Sequence, residues 1–433
     1  MTSALYTDRY ELTMIDAAIG SGRHNRESVF EVFARRLPDG RRYGVVAGTG
    51  RLLELIPEFR FHDEEIAWLR DNSVVSATTL DWLANYRFGG TITGYQEGEV
   101  YFPGSPLMIV QGGFAECVVL ETLILSALNY DSAVAAAASR MVTAAAGRPL
   151  AEMGGRRAHE HAAVAAARAA FIAGFGATSN LEAGRTWGIP TMGTAAHAFT
   201  LLHDTEEEAF EAQVAAMGTG TTLLVDTFDV ENAVNLAVKV AGTGLGAVRI
   251  DSGDLPVLVG QVRSQLDALG ATETKITVTN DLDEYTIAAL GSAPVNSYGV
   301  GTSVVTGSGY PASGMVFKLV AHRAENGEWV NVAKKSAAKA TVGGKKIAVR
   351  SLSGGIAQAE SIYVGVDPEL GSSDRALLVP LMTDGVPNDA YRGAAGTVLA
   401  RDHRELSIAE LPLDARRLSR GEPGIPTVYH LGE

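Results

Sequence analysis

From residue 148 onward the hydrophobic positions fall into short runs, each closed by a polar or glycine-rich patch and followed by a helical stretch. The runs are RPLAEMGGRR (148–157), GFGATSN (174–180), IPTMGTAAHA (189–198), TTLLVDTFDV (221–230), GAVRIDSGDL (246–255), KITVTNDLDE (275–284) and SYGVGTS (297–303). Short apolar or β-branched runs alternating with helices build parallel sheets. Seven in succession predict an α/β architecture with a closed or nearly closed, TIM-like βα barrel of seven strands. Barrels of this kind do their chemistry at the C-terminal ends of the strands. The polar residues that fall there are Arg156, Asn180, His197, Asp226, Arg249, Asp251, Asp281 and Thr302.

The flanking regions follow other patterns. FEVFARRLP (30–38) alternates like a strand, and RYGVVAGTGRLLELI (42–56) passes through glycines into a helix. GEVYFPGSPLMIVQG (98–112) is a second strand group whose prolines suit edges or turns. AECVVLETLILSALNY (115–130) reads as a long buried helix. After 330, VNVAKKSAAKATVGGKKIAVR (330–350) reads as strands about a Gly343–Gly344 turn, and RELSIAELPLDARRL (404–418) as a short helical region. The expected organisation is a mixed α/β N-terminal domain over 1–130, the barrel with the active site over 131–330, and a smaller C-terminal strand and loop region over 331–433 that packs on the N-terminal domain.

Composition narrows the function classes. A chain of 433 residues, 46% hydrophobic and 20% charged, is globular and too long for one core. The net charge of −14 argues against nucleic acid as a partner, although a local basic pocket could still take a small anion. The single cysteine, Cys117, excludes an intrachain disulfide and suits a reducing cytoplasm. The opening MTSALYTDRYELTM carries acids early and lacks the basic-then-apolar order of an export signal. The alanine-rich runs at 133–146 and 162–177 are interrupted by Arg140 and Arg168 and read as packed helices, not membrane spans.

Several motifs carry candidate chemistry. His197 lies among Thr, Gly and Ala in TMGTAAHAFT (191–200), with room for something to approach it. Asp226 ends the next unit, and a carboxylate on one ring nitrogen fixes the tautomer and raises the basicity of the other. Such a pair can act as acid, base or phosphoryl acceptor; a satisfied structural histidine is the competing reading. Arg249 and Asp251 are two apart and share a strand face. A guanidinium fork suits a carboxylate or phosphate, and Asp251 with Asp254 could hold ribose hydroxyls or Mg²⁺. The alternative there is a salt bridge with an Asp helix cap. GVGTS (299–303) is a possible phosphate cradle, whereas GTGLG (242–246) precedes a strand and fails the dinucleotide-binding context. His159 and His161 have the wrong spacing for a helix-borne metal site and read as a solvated face. The basic stretch with Lys334, Lys335, Lys339, Lys345 and Lys346 is either a solvated hairpin or a phosphate-binding flap.

Taken together, TDRYELTM (7–14), the block ending EGEVYFPGSPLMIVQG, EMGGRRA (152–158), GATSNLEAG (176–184), GTAAHAF (193–199), RIDSGDL (249–255) and GVGTS (299–303) resemble nicotinate phosphoribosyltransferases, type II phosphoribosyltransferases. The motifs occur in the family's order over roughly residues 6–350. The resemblance implies synthesis of nicotinate mononucleotide and pyrophosphate from nicotinate and phosphoribosyl pyrophosphate, coupled to ATP hydrolysis through a phosphohistidine, with Mg²⁺, in NAD biosynthesis. It puts the phosphohistidine at His197, oriented by Asp226. It implies Tyr10, Thr194, Arg249 and Arg156 around nicotinate, Asp251 and Asp254 at the ribose and Mg²⁺, and Gly301 and Thr302 at the 5′-phosphate. Lys339 would meet pyrophosphate or ATP. It also implies a homodimer in which TDRY crosses the interface to its substrate. Nicotinamide phosphoribosyltransferase is the nearest rival; that family places an Asp at the base-binding strand end, where this chain has Thr178–Ser179–Asn180. Quinolinate phosphoribosyltransferase, which needs no ATP, and a non-catalytic ligand-binding barrel are weaker alternatives.

Overall fold

The computed structural model describes residues 3–334 and 341–432. It divides into two compact units, Ala137–Gly309 and a second made of Met1–Ala136 with Tyr310–Glu433.

The central unit is built on six strands: β1 (Leu150–Glu152), β2 (Ala177–Thr178), β3 (Thr222–Leu224), β4 (Ala247–Ile250), β5 (Lys275–Val278) and β6 (Ser297–Val300). All pair in parallel, in the order β2–β1–β6–β5–β4–β3. Beyond β2 there is one further parallel bridge, Thr178 to Thr191. The expected seven-stranded barrel is therefore corrected to an open parallel sheet of six strands among the described residues. The run IPTMGTAAHA contributes a single bridging residue instead of a strand. Pro190 has no N–H to give a ladder, and Gly193 favours departure from extended pairing.

The intervening helices are fixed by local chemistry. Thr205 closes a capping box with Glu208 at the start of Glu206–Met217, and the Asp229 and Asp283 side chains cap Val230–Ala241 and Glu284–Ala289. Val230–Ala241 buries Ala233, Val234, Ala237, Val238 and Ala241, one apolar stripe. In Glu160–Ile172 most of the alanines are buried, and so is Arg168, whose guanidinium stacks 4.5 Å from the Trp187 ring. The stretch Phe114–Ala145 is long and apolar enough to cross a membrane by length and composition alone, but 67% of its most apolar window is buried, as in a core helix.

The other unit has a seven-stranded sheet. Glu27–Ala34 pairs antiparallel with Met108–Gly113 on one side and with Met315–Arg323 on the other, and Thr91–Tyr95 pairs with Leu378–Thr383. The chain beyond 330 lies in this same unit, and Met315–Arg323, expected in the barrel, belongs to this sheet. Its MVFKLVAHR pattern has the period of a strand, and its partners are residues near the N-terminus.

A buried ionic network ties the late segment to the early one. Arg350 is fully buried; it donates to Glu360 at 2.7 Å and to the Val100 carbonyl at 2.9 Å, and lies 3.3 Å from Glu99. Arg375 spans Glu99 and Glu410 at 2.6 Å each, and the Tyr95 hydroxyl donates to Glu360 at 2.6 Å. Burial alone would raise the Glu99 carboxyl, but its bonds to His403 and Arg375 and the Arg350 charge hold it well below the usual range. Arg350→Ala should lower unfolding stability by about 3–5 kcal/mol, because it leaves buried carboxylates unpaired. A urea-denaturation loss under about 1 kcal/mol would refute that assignment.

Glu11, on the helix Arg9–Gly20, accepts from the Thr7 hydroxyl and from the Thr122 N–H and hydroxyl. Burial outweighs these bonds and pushes its carboxyl up to about 7. The folded state then holds this proton more tightly than the unfolded chain, so the contribution is full at acid pH and is lost as pH rises through 7. Glu11→Gln should gain thermal stability relative to the parent between pH 5 and pH 8, on the order of this window. A constant difference across the series would show that Glu11 does not titrate there.

Candidate active site

At the C-terminal ends of the central strands lies a cleft of about 650 Å³, whose lining includes Met153, Arg156, Ser179, Asn180, Thr194 and Arg249. His197, which begins the short helix His197–Leu202, contacts Asp226 through Nε2 at 3.1 Å. The histidine side chain is 39% exposed and the aspartate 2%. The second oxygen of Asp226 accepts from the Asp251 N–H at 2.9 Å and the Ser252 hydroxyl at 2.6 Å. Both carboxylate oxygens are thus committed, one to the histidine and one to the loop after β4. With Nε2 facing Asp226, the other ring nitrogen, Nδ1, is the one available to a reacting group.

Arg249, near the end of β4, is held on three sides. Its Nε donates to Thr279 at 2.9 Å, Nη1 to Thr194 at 2.8 Å and to the Ala195 carbonyl at 3.2 Å, and Nη2 to Asp251 at 3.4 Å. The Thr279 hydroxyl closes the ring by donating to Asp251 Oδ1. A guanidinium so fixed presents its charge without rotational freedom. Arg156 differs: it lies on the 3₁₀ turn Gly155–Arg157, is exposed, and has no side-chain partner among the described residues. It is the free fork of the cleft.

Glu152, at the end of β1, is fully buried and accepts from the Thr178 hydroxyl at 2.6 Å and from the Gly154 N–H. Burial raises its carboxyl. It sets the MGGRR turn against the strand that leads to Ser179 and Asn180. A Cβ on Gly154 would meet the Gly301 carbonyl at 2.8 Å, so this position requires glycine and brings Gly301 beside the turn that carries Arg156.

Among the expected site residues, Arg156, Asn180, Thr194 and Arg249 line the cleft, and His197, Asp226 and Asp251 are tied to it through the hydrogen bonds that end on Arg249. Others do not join it. Thr178 turns away to Glu152. Gly301 and the exposed Thr302 form the expected strand-to-helix turn but do not line the cleft. Asp254 holds the N-cap position of Leu255–Ala268 without a side-chain cap bond and is exposed. Tyr10 lies in the other compact unit, 44% exposed, with Glu121 as its hydroxyl partner, and does not line this cleft. Lys339 lies outside the described residues. His159 and His161 are exposed as expected, although His161 also lines the cleft. Sequence reasoning missed Ser252, Thr279 and Glu152. Thr279 lies two residues after Thr277 in the strand alternation, which was the available signal for it.

Residues 5–129 match the nicotinate phosphoribosyltransferase (NAPRTase) N-terminal domain family. The chain is 54% identical to nicotinate phosphoribosyltransferase pncB1 of Mycobacterium tuberculosis, over 98% of this chain and 95% of that protein. It is 35% identical to nicotinate phosphoribosyltransferase of Bacillus subtilis, over 86% and 78%. The fold matches the crystal structure of human nicotinic acid phosphoribosyltransferase with a TM-score of 0.82, at 24% identity, covering 99% of this chain and 98% of that one. Identity of this degree over nearly the whole length settles the kinship: the chain belongs to the nicotinate phosphoribosyltransferase family.

Proposed function

We propose that the protein transfers the phosphoribosyl group of 5-phosphoribosyl 1-pyrophosphate to nicotinate, forming nicotinate mononucleotide and pyrophosphate for NAD biosynthesis. ATP hydrolysis is coupled to the transfer through a phosphoryl group on His197. The observation that carries the reading is the continuous bond path from His197 through Asp226 to Asp251 and on to Arg249 and Thr194. One network joins a nucleophile to the residues that would hold the substrates.

In this reading the Nδ1 lone pair of His197 attacks the terminal phosphorus of ATP and ADP leaves. Water later cleaves the N–P bond and releases phosphate. Asp226 stabilises the imidazolium character that develops. Arg156, the free guanidinium, takes the nicotinate carboxylate, with Arg249 and Thr194 supplying the fixed field beneath it. In the homodimer that the reading requires, Tyr10 of the partner subunit would stack on the pyridine ring. Gly301 and Thr302 would bound the 5′-phosphate, and Lys339 remains the candidate for pyrophosphate or ATP. No group of three or more His, Cys, Asp or Glu among the described residues could hold a metal by itself. Asp251 still has Oδ2 outside the bonds described, and Asp254 is exposed, which fits Mg²⁺ shared with substrate phosphates. Bound there, Mg²⁺ would neutralise the departing diphosphate. We read the setting as cytoplasmic, with Cys117 a buried free thiol.

Nicotinamide as the substrate is disfavoured by the strand end it would need. Ser179 and Asn180 line the cleft there with no carboxylate to accept from an amide. Glu160 and Glu182 also line the cleft, but both are exposed, and Glu182 is paired with Arg185.

The test is product formation from phosphoribosyl pyrophosphate and Mg²⁺ with nicotinate or nicotinamide, each with and without ATP. Nicotinate turnover stimulated by ATP is expected; preferred turnover of nicotinamide would overturn the substrate assignment. His197→Ala should abolish ATP hydrolysis and leave slow, ATP-independent transfer. Unchanged coupling in that variant would remove the phosphohistidine.

Ser252→Ala tests the link between the histidine and the loop. Hydrolysis should persist, while ATP stimulation of transfer falls roughly fivefold or more, the scale of a lost coupling energy. Equal loss of both activities would mean that Ser252 only supports the fold.

A further inference from the structure

The two faces of the parallel sheet differ in bulk. Strand alternation puts Leu223, Val248, Ile250, Ile276, Val278 and Val300 on one face, all buried. The other face carries Ala151, Ala177, Thr222, Ala247, Thr277 and Ser297 around the longer Leu224, Arg249 and Lys275. In a filled βα barrel the inward positions are bulky branched side chains that interdigitate. Here most of them are small or hydroxylated, and a cavity of about 540 Å³ remains.

This cavity is not the catalytic cleft. Its outer lining comes from the N-terminal ends of the strands and the residues just before them: Pro149, Gly176, Thr222, Lys275 and Asn296. The cleft described above is lined from the opposite ends. The two share Met153, Met192, Thr194 and Arg249, so the Arg249 side chain borders both.

The lining chemistry selects a class of ligand. The charged side chains on the cavity are Arg249 and Lys275, both cations, and no carboxylate lines it. The Thr222, Thr277 and Ser297 side chains add hydroxyls, with Thr277 and Ser297 sharing a hydrogen bond of 2.8 Å. Met153 and Met192 supply apolar surface for a flat body. We propose that this cavity is a second ligand site, for a small aromatic carboxylate entering from the N-terminal ends of the strands, and that its occupancy acts on the reaction through Arg249. An anion beside Lys275 competes with Thr194 and Asp251 for the Arg249 N–H groups. Arg249 is thereby drawn away from the cleft, which changes turnover instead of blocking substrate entry.

The inference rests on the transferase reading above, and one experiment separates the two. Benzoate has the carboxylate and the ring but no ring nitrogen to ribosylate. It is titrated into the nicotinate reaction of the parent chain, Lys275→Met and Thr277→Leu. In the parent, benzoate should change kcat, and saturating nicotinate should not relieve the effect. Lys275→Met should need about tenfold more benzoate, the loss of one charge-assisted contact. Thr277→Leu, which fills the cavity, should be insensitive. Both variants should turn over nicotinate at the parent rate when benzoate is absent. Lys275 is exposed, so its substitution remains informative if the leucine variant fails to fold. An effect that nicotinate fully relieves, an effect equal in all three proteins, or no effect overturns the second site. Failure of the parent to use nicotinate at all would overturn the transferase reading instead.

Discussion

The Asp226 carboxylate is shielded from water and has to be satisfied by protein donors, a constraint on which the geometry of the site depends. A buried carboxylate without partners would be strongly disfavoured. Here one oxygen meets His197 and the other gathers the Asp251 N–H and the Ser252 hydroxyl. The requirement fixes two things together. It holds the imidazole in one orientation, and it pulls the loop after β4 against the end of β3. From there Asp251 passes the restraint to Arg249, and Arg249 to Thr194 on the loop that leads back to the histidine. The site is a closed circuit of side chains on separate strand ends, which is how a parallel sheet with short, divergent loops can still present a rigid surface.

Much of this circuit was legible in the sequence because short-range rules sufficed. Arg249 and Asp251 share a face by strand period, and His197 and Asp226 were pointed to by the ends of successive units. The parts that were missed depend on three-dimensional closeness. Thr279 reaches Asp251 across a strand boundary, and Ser252 was quoted within its motif without a role, since nothing local says which carboxylate it will meet. Glu152 looked like any acid in a glycine-rich turn; only its complete burial reveals that it organises Gly154 and Thr178. Tyr10 could be marked in sequence but belongs to the other compact unit.

The fold was legible to a similar depth. Six of the seven expected strands formed, and the seventh run failed for a reason visible in its own residues, Pro190 and Gly193. The boundaries were harder. Met315–Arg323 has an ordinary strand pattern, and sequence order alone assigns it to the preceding barrel. Its hydrogen bonds go to Glu27–Ala34. That the C-terminal segment packs on the N-terminal domain could be expected, but not the charges that bind it, since Arg350 and Arg375 find Glu99 only once the chain has returned. Pairing between distant segments has no local signature.

That return has a consequence for how the molecule is made. Ala34 pairs with Met315, and the whole central unit lies between them in the chain. During synthesis the first sheet must wait, with Glu27–Ala34 presenting an open edge, until the ribosome has delivered the residues that cover it. The central unit is continuous in sequence and can complete its parallel sheet in the meantime, as vectorial folding favours. The early strands bear the longest delay and the greatest exposure to stray pairing with other nascent chains. Biogenesis, more than the finished structure, is where this interleaved topology exposes the chain to aggregation.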